Sequence, residues 1–200
     1  MPGYRLLPTF FICAIALTGL VSRSIGTKSE TLQKTDSKKP DTAATSCLFD
    51  VERGEIPGCL NRTAEGKLLV TQQVLKELHF DSYGLAAIRS AREGWMYVSH
   101  GGRVLISGVP TMDNWADSFH EGLVRVVRNN KYGFANRKGQ VVISAIYDGA
   151  MNFEKGKAKV CNRCVSKCVD HNCEYHVFAA GEWFEIDTKG TVVARIRPDN

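Results

Sequence analysis

The sequence lacks the patterns that mark the common hydrolases and calcium-binding proteins. No G-x-S-x-G nucleophile elbow occurs in its 200 residues, so the SHGG run at 99–102 is expected to be a hairpin turn and not an oxyanion loop. Asp113, Asn114 and Asp117 lack the central glycine and closing glutamate of a calcium loop, and their short polar side chains favour the capping of a turn. The histidines outside the cysteine-rich region show no spacing that pairs a base with a nucleophile. We therefore expect no enzymatic activity.

The chain also lacks a strong excess of charge. Its net charge is +5, and removal of residues 1–24 would lower it to +3, because Arg5 and Arg23 lie there without an acidic residue. No stripe of lysine and arginine with interleaved aromatic residues is present. The composition therefore argues against a nucleic-acid partner.

Only one long apolar run occurs, at residues 6–21, with Arg5 before it and small residues at 22–24 after it. This pattern is typical of a signal peptide, predicted at 1–24, and the run is short for a transmembrane helix. An uncleaved membrane anchor is the alternative, whereas Cys13 lacks the small residues that precede a lipidated cysteine. We expect a periplasmic or secreted protein that contacts the membrane only if this segment stays uncleaved.

A polar stretch follows the predicted signal. Residues 27–46 contain one large apolar residue, Leu32, among Lys, Thr, Ser, Asp and Pro. Such a stretch cannot bury enough apolar surface to offset its ordering entropy. We predict a flexible linker at 25–46 and one folded domain at 47–200.

The folded part repeats one phrase four times, at 58–70, 95–106, 132–143 and 183–193. Each copy is an aromatic or apolar run, a polar turn closed by glycine, and a β-branched run. A second pattern, an aromatic residue and a glycine before an alternating run, occurs at 83–88, 119–126 and 153–160. We predict an all-β fold of antiparallel hairpin and meander repeats in a partly closed, barrel- or propeller-like array, with a short helix at 71–78 capped by Thr71.

These phrases resemble the WG-repeat (KWG-repeat) family of bacterial proteins, whose units centre on an aromatic-Gly-aromatic motif followed by Asp or Asn and by Gly. The closest copy is KYGFANRKG at 131–139, where Tyr132 replaces the usual Trp. The segment at 113–125 and the cysteines from 161 resemble an exported subgroup, although Cys168 and Cys173 are additional to its two-cysteine loop. The resemblance covers 57–195 and implies an exported all-β repeat domain, without catalytic residues to carry over.

Six cysteines follow the predicted signal peptide: Cys47, Cys59, Cys161, Cys164, Cys168 and Cys173. An even number in an exported chain favours disulfides, and six cysteines allow 15 connectivities. Cys47 and Cys59 are the natural third pair, which closes a short loop at the start of the domain, and two unpaired thiols are the alternative. The cysteine-rich loop at 161–176 leaves two alternatives open. Cys161, Cys164, Cys168 and Cys173 could hold zinc with His171 and His176 nearby, or Cys161 and Cys164 could form a redox pair. We expect no cofactor, with zinc as the alternative.

The aromatic residues divide into core and surface candidates. Equivalent positions in successive repeats favour a core location for Trp95, Tyr132 and Trp183. Trp115 lies outside the repeated phrase in a polar stretch, so it is the candidate partner surface. The loops at 108–118 and 161–178 would supply further variable surface. We expect a disulfide-stapled binding module whose partner is an envelope protein or polysaccharide, or alternatively a structural envelope component.

Overall fold

The computed structural model describes residues 46–48, 54–173 and 175–197. The predicted signal peptide at 1–24, and all but the last residue of the predicted linker at 25–46, lie outside the described residues. Within the described part, no helix has both the length and the apolar character that a membrane crossing requires.

The elements in chain order are β1 (Cys47–Leu48), β2 (Leu60–Arg62), β3 (Leu68–Val70), α1 (Gln72–Leu75), β4 (Leu85–Ser90), β5 (Gly94–Ser99), β6 (Val104–Val109), β7 (Thr111–Met112), β8 (Trp115–Ala116), β9 (Leu123–Arg128), β10 (Lys131–Asn136), β11 (Val141–Tyr147), β12 (Gly149–Ala150), β13 (Lys157–Asn162), β14 (Val165–Cys168), β15 (His176–Ala179), β16 (Glu182–Asp187) and β17 (Val192–Ile196).

Three meanders of three strands make up most of the domain. Unit 1 is β4-β5-β6 with β1 at its edge, unit 2 is β9-β10-β11, and unit 3 is β13-β16-β17 with β12 at its edge. Small hairpins are formed by β2–β3, β7–β8 and β14–β15, and every strand pair is antiparallel. The predicted all-β meander fold is confirmed. The described strands form several separate sheets and not one closed barrel.

The four repeated phrases form four hairpin turns of the same kind. In each turn, the residue at the end of the first strand or directly after it donates its N–H to the carbonyl four residues later. The glycine three residues later donates its own N–H to the carbonyl of that first residue. The paired residues are Thr63 with Gly66, Ser99 with Gly102, Asn136 with Gly139, and Asp187 with Gly190. These glycines have φ between +78° and +83°, a conformation that side chains with a Cβ rarely adopt. The repeat seen in the sequence is therefore a repeat of turn geometry.

The last three of these turns each pack on the strand that ends the preceding hairpin or unit. A Cβ added to Gly139 would lie 2.5 Å from the carbonyl oxygen of Leu105 in β6, and one on Gly102 would lie 3.0 Å from that of Val70 in β3. One on Gly190 would lie 3.2 Å from the side chain of Ile143 in β11. The units are therefore stacked in chain order through their turn glycines.

The core consists of three clusters, one at each junction of the stack. In β5, Met96 and Val98 face the β2–β3 hairpin and α1, while Trp95 and Tyr97 face unit 2. In unit 2, Phe134 faces unit 3. Because strand side chains alternate between faces, units 1 and 2 each contribute to two clusters, and their sheets are buried on both sides.

The predicted helix at 71–78 exists but is shorter. Helix α1 has four residues, and Val74 is buried in the first cluster. Thr71 occupies the N-cap position, yet its side chain makes no capping hydrogen bond, so that part of the prediction is wrong. The backbone N–H of Thr71 donates instead to the carbonyl of Cys59, and the helix start is fixed by this contact with the first hairpin.

Candidate functional site

Unit 3 differs from the other units at one connection. Between the first and second strands, unit 1 has a turn at 91–93 and unit 2 a turn at 129–130, whereas unit 3 carries residues 163–181. This insertion contains the β14–β15 hairpin, residues 165–179, which we call the cysteine hairpin. A cavity of about 680 Å³ lies between the cysteine hairpin and the β7–β8 hairpin. The loops predicted to supply partner surface therefore face each other.

Aromatic side chains form much of the cavity wall. Phe178 of the cysteine hairpin stands edge-on to Tyr132, with 5.4 Å between ring centroids, and Tyr175 and Trp183 also line the space. Gly149 permits the approach of Phe178, because a Cβ there would lie 2.6 Å from its ring. The indole Nε1 of Trp183 donates to the carbonyl of Ala180 and fixes the ring.

The predicted core location of the three repeat aromatics is correct only for Trp95, which is 2% exposed. Tyr132 and Trp183 are half-buried and line the cavity. Trp183 is only half-buried because of its place in the stack. Aligned positions in β5 and β10 point toward the following unit, but no unit follows unit 3 in the described part of the chain. In β16 of unit 3, Glu185 occupies the position that Tyr97 has in β5 and Phe134 has in β10.

A buried ion pair anchors one side of the cavity. Arg125, a lining residue, donates from Nε and Nη2 to the two carboxylate oxygens of Asp117, each at 2.9 Å, and from Nη1 to the carbonyl of Ala150. Asn152 donates to the same carboxylate, and the Tyr97 hydroxyl donates to the Asp117 carbonyl. Asp117 is fully buried, and its carboxylate binds Arg125 and Asn152, so its predicted role as a turn cap is wrong. It links all three units.

The other two residues of that prediction do form a turn. Asp113 and Asn114 have φ of +47° and +65° and join β7 to β8. Short polar residues tolerate this left-handed conformation, which closes a two-residue hairpin. Asp113 lines the cavity.

One lysine side chain lies at the cavity as well. Lys159 is exposed and lines it, and among the described residues no carboxylate lies within ion-pair distance of its amine. His176, on β15, also lines the cavity. A ligand with an anionic group would find its charge partner in Lys159.

The insertion is attached to unit 2 through Asp148. The carboxylate of Asp148 accepts hydrogen bonds from Lys131 and, at 2.7 Å, from the backbone N–H of Arg163. The Lys131 hydrogen bond, and next that of Arg163, lowers the pKa of Asp148. The first residues of the insertion are thereby held against the neighbouring unit.

The described cysteines form three disulfides: Cys47–Cys59, Cys161–Cys164 and Cys168–Cys173. Disulfide bonding and the expected Cys47–Cys59 pair are confirmed. Cys161 is fully buried at the end of strand β13 and Cys164 is 7% exposed, whereas Cys168 and Cys173 are exposed.

The predicted four-cysteine zinc set is divided between two disulfides. Among the described residues, the atoms that could hold a metal lie within 4.8 Å of one another in a different group, Cys168, Cys173 and His176. Cys161 and Cys164 are not members of it. The sequence placed His176 near the cysteines but did not show that the hairpin register sets it opposite Cys168.

Trp115 is at the surface, 36% exposed, as the sequence indicated. Its ring packs on the buried Trp95 with 4.6 Å between centroids, and it is not a lining residue of the cavity. Its role in binding stays a prediction. The sequence missed the cavity aromatics Tyr175 and Phe178, whose only signal was their position within the cysteine-rich insertion.

The fold defines a class, a β-repeat protein built of stacked three-stranded meanders. Residues 114–132 and 132–163 match the family described as WG containing repeat. The predicted resemblance to this family is confirmed for these residues. No curated protein and no solved structure is significantly similar to the chain.

Proposed function

We propose that this protein is an exported module of the bacterial cell envelope that binds an acidic polysaccharide segment in the cavity beside the cysteine hairpin. The observation that carries the proposal is the cavity itself, which is formed by an insertion that the repeat does not need. The proposal assigns no catalytic residue, and the WG repeats serve as its scaffold.

The size of the cavity favours a chain-like or small ligand over a globular partner. Its volume of about 680 Å³ falls in the range of ligand pockets, ~300–1,000 Å³, whereas a stable protein partner covers about 800 Å² of surface on each side. Tyr132, Tyr175 and Trp183 offer flat apolar faces to sugar rings, and Ser166 offers a hydroxyl group. A few polar groups among aromatic walls are typical of a specific pocket.

Charge narrows the ligand class further. The Lys159 amine makes no ion pair with a described residue, and Arg125 is already engaged with Asp117. An acidic sugar would supply the missing carboxylate. Export is supported by the disulfides, which persist in oxidising compartments, and by the signal-peptide pattern at 1–24.

Binding can be tested with polygalacturonate as the acidic probe and dextran as the neutral control, by titration calorimetry. Tyr175→Ser should weaken polygalacturonate binding by about tenfold, since one stacked aromatic ring contributes on the order of 1–3 kcal/mol. Tyr83→Ser is the matched control, because Tyr83 is 66% exposed against 64% for Tyr175 but lies outside the cavity lining.

A second pair of variants tests whether the charge of Lys159 contributes to binding. Lys159→Gln should weaken binding of polygalacturonate, whereas Lys167→Gln should not, since Lys167 is exposed on β14 but does not line the cavity. Equal binding of dextran and polygalacturonate would remove the acidic preference. If neither polysaccharide binds and an isolated envelope protein does, with loss in Tyr175→Ser, the cavity is a protein-binding site and the polysaccharide proposal is wrong.

A further inference from the structure

We propose that the tip of the cysteine hairpin is a zinc site, formed by Cys168, Cys173 and His176 when the Cys168–Cys173 disulfide is reduced. The Nε2 atom of His176 lies 3.5 Å from the Cys168 Sγ and 3.3 Å from the Cys173 Sγ. All three ligand atoms fall within 4.8 Å of one another and are exposed. This inference does not depend on the polysaccharide proposal.

The backbone places the ligands independently of the disulfide. Cys168 and His176 are directly opposite each other in the β14–β15 ladder. In the connecting loop, Asp170 accepts two backbone hydrogen bonds. The N–H of Cys173 donates to its carbonyl, and the N–H of Tyr175 donates to its carboxylate at 2.7 Å. Because strand pairing and these hydrogen bonds fix the loop, the ligands stay close together after reduction.

Thiolate and imidazole are the ligands that zinc prefers in proteins. A dithiol reductant transfers two electrons to the Cys168–Cys173 disulfide and becomes a disulfide itself, which leaves two protein thiols. Zinc then displaces one proton from each thiol and accepts the lone pair of His176 Nε2. Three protein ligands leave a fourth position for water or an external donor. Since His176 also lines the cavity, the bound ion would lie at its edge.

Exposure makes the Cys168–Cys173 disulfide the first to react. Attack on a disulfide requires access to its sulfur atoms, and exposed disulfides are the labile ones. Cys168 and Cys173 are exposed, whereas Cys47, Cys59 and Cys161 are fully buried. A limited amount of dithiol should therefore open the zinc site while the other two disulfides remain intact.

The test uses the mature protein, oxidised or treated anaerobically with limiting dithiothreitol. Zinc is measured by native mass spectrometry, and Co²⁺ serves as a probe through its thiolate charge-transfer absorption. The reduced protein should bind one Zn²⁺ per chain with release of two protons, and the oxidised protein should bind none. Alkylation mapping identifies which cysteines were reduced.

Two histidine variants decide whether the geometry is right. His176→Gln should weaken zinc binding by at least about tenfold, the factor that even an outer-shell partner costs, and should lower the intensity of the cobalt spectrum. His171→Gln is the matched control, since His171 is exposed on the same loop but outside the group. No zinc uptake on reduction, equal affinities of the two variants, or zinc held by Cys161 and Cys164 would each overturn the proposal.

Discussion

The stacking of units through their turn glycines predicts that two glycines of the same conformation respond differently to alanine. Gly139 and Gly122 both have φ of +82°. A Cβ on Gly139 would lie 2.5 Å from the carbonyl oxygen of Leu105 in the preceding unit, whereas a Cβ on Gly122 meets no atom within 4 Å. Gly139→Ala therefore introduces strain and a clash, and Gly122→Ala introduces strain alone.

The magnitudes follow from these two effects. A left-handed conformation costs a residue with a Cβ about 1–2 kcal/mol, and this cost is common to both variants. Overpacking costs typically about 1–3 kcal/mol more, and here the neighbouring atom is backbone, which no rotamer change can move. We expect a loss of about 1–2 kcal/mol for Gly122→Ala and about 2–5 kcal/mol for Gly139→Ala.

Urea unfolding of the disulfide-bonded protein measures the difference. With a urea slope of about 2 kcal/mol/M, a difference of 2 kcal/mol moves the midpoint by about 1 M, well above experimental error. Equal midpoints for the two variants would refute the reasoning, since the turn of unit 2 would then not rest on unit 1.

Three further changes test the buried polar and covalent links. Burial, and next the charge of Asp117, raises the pKa of Tyr97 to about 12. As the pH rises above 10, the unfolded chain therefore loses the phenolic proton before the folded protein does, and the free energy of unfolding falls. Between pH 9 and pH 11, the free energy of unfolding measured with urea should therefore fall by about 1 kcal/mol less for Tyr97→Phe than for the parent protein. Asp117→Asn leaves Arg125 buried without its charge partner and should cost about 3–5 kcal/mol, and a neutral result would contradict the ion pair. Joint replacement of Cys47 and Cys59 by serine should lower the unfolding free energy by about 3 kcal/mol, measured in the same assay.

The sequence was sufficient to predict the repeated hairpins, but not to predict which of their aligned side chains are buried. The hairpin formed by the phrase at 132–143 has Gly139 at its positive-φ position, because a polar turn before a β-branched run is a local signal. Trp183 shows the limit of this reasoning. Its phrase matches that of Trp95, but whether an aligned side chain is buried depends on the presence of a following unit. The exchange of Tyr97 and Phe134 for Glu185 was a signal in the sequence, because a charged residue at an aligned position indicates a face that is not buried.

The buried ion pair was beyond sequence reasoning for another reason. Asp117 lies in an irregular segment where neither period 2 nor period 3.6 applies, so its burial could not be read from a pattern. The partners of its carboxylate, Arg125 and Asn152, come from later parts of the chain. Only the packing of the three units brings them together, and a short polar residue next to a turn has the same local signature whether it is exposed or buried.

The position of the insertion explains how one repeat acquires a site without losing its fold. The last strand pair before the connection is Ser90 with Gly94 in unit 1, Arg128 with Lys131 in unit 2 and Asn162 with Glu182 in unit 3. Replacing a tight turn with residues 163–181 therefore leaves the ladder intact. Gly181 lies where the insertion rejoins strand β16. Its φ is +78°, and a Cβ there would lie 2.5 Å from the Asn162 carbonyl oxygen, so glycine is needed at the point where the two ends of the insertion meet. The scaffold and the cavity can then vary independently, as expected when binding residues lie on a loop held by a rigid sheet.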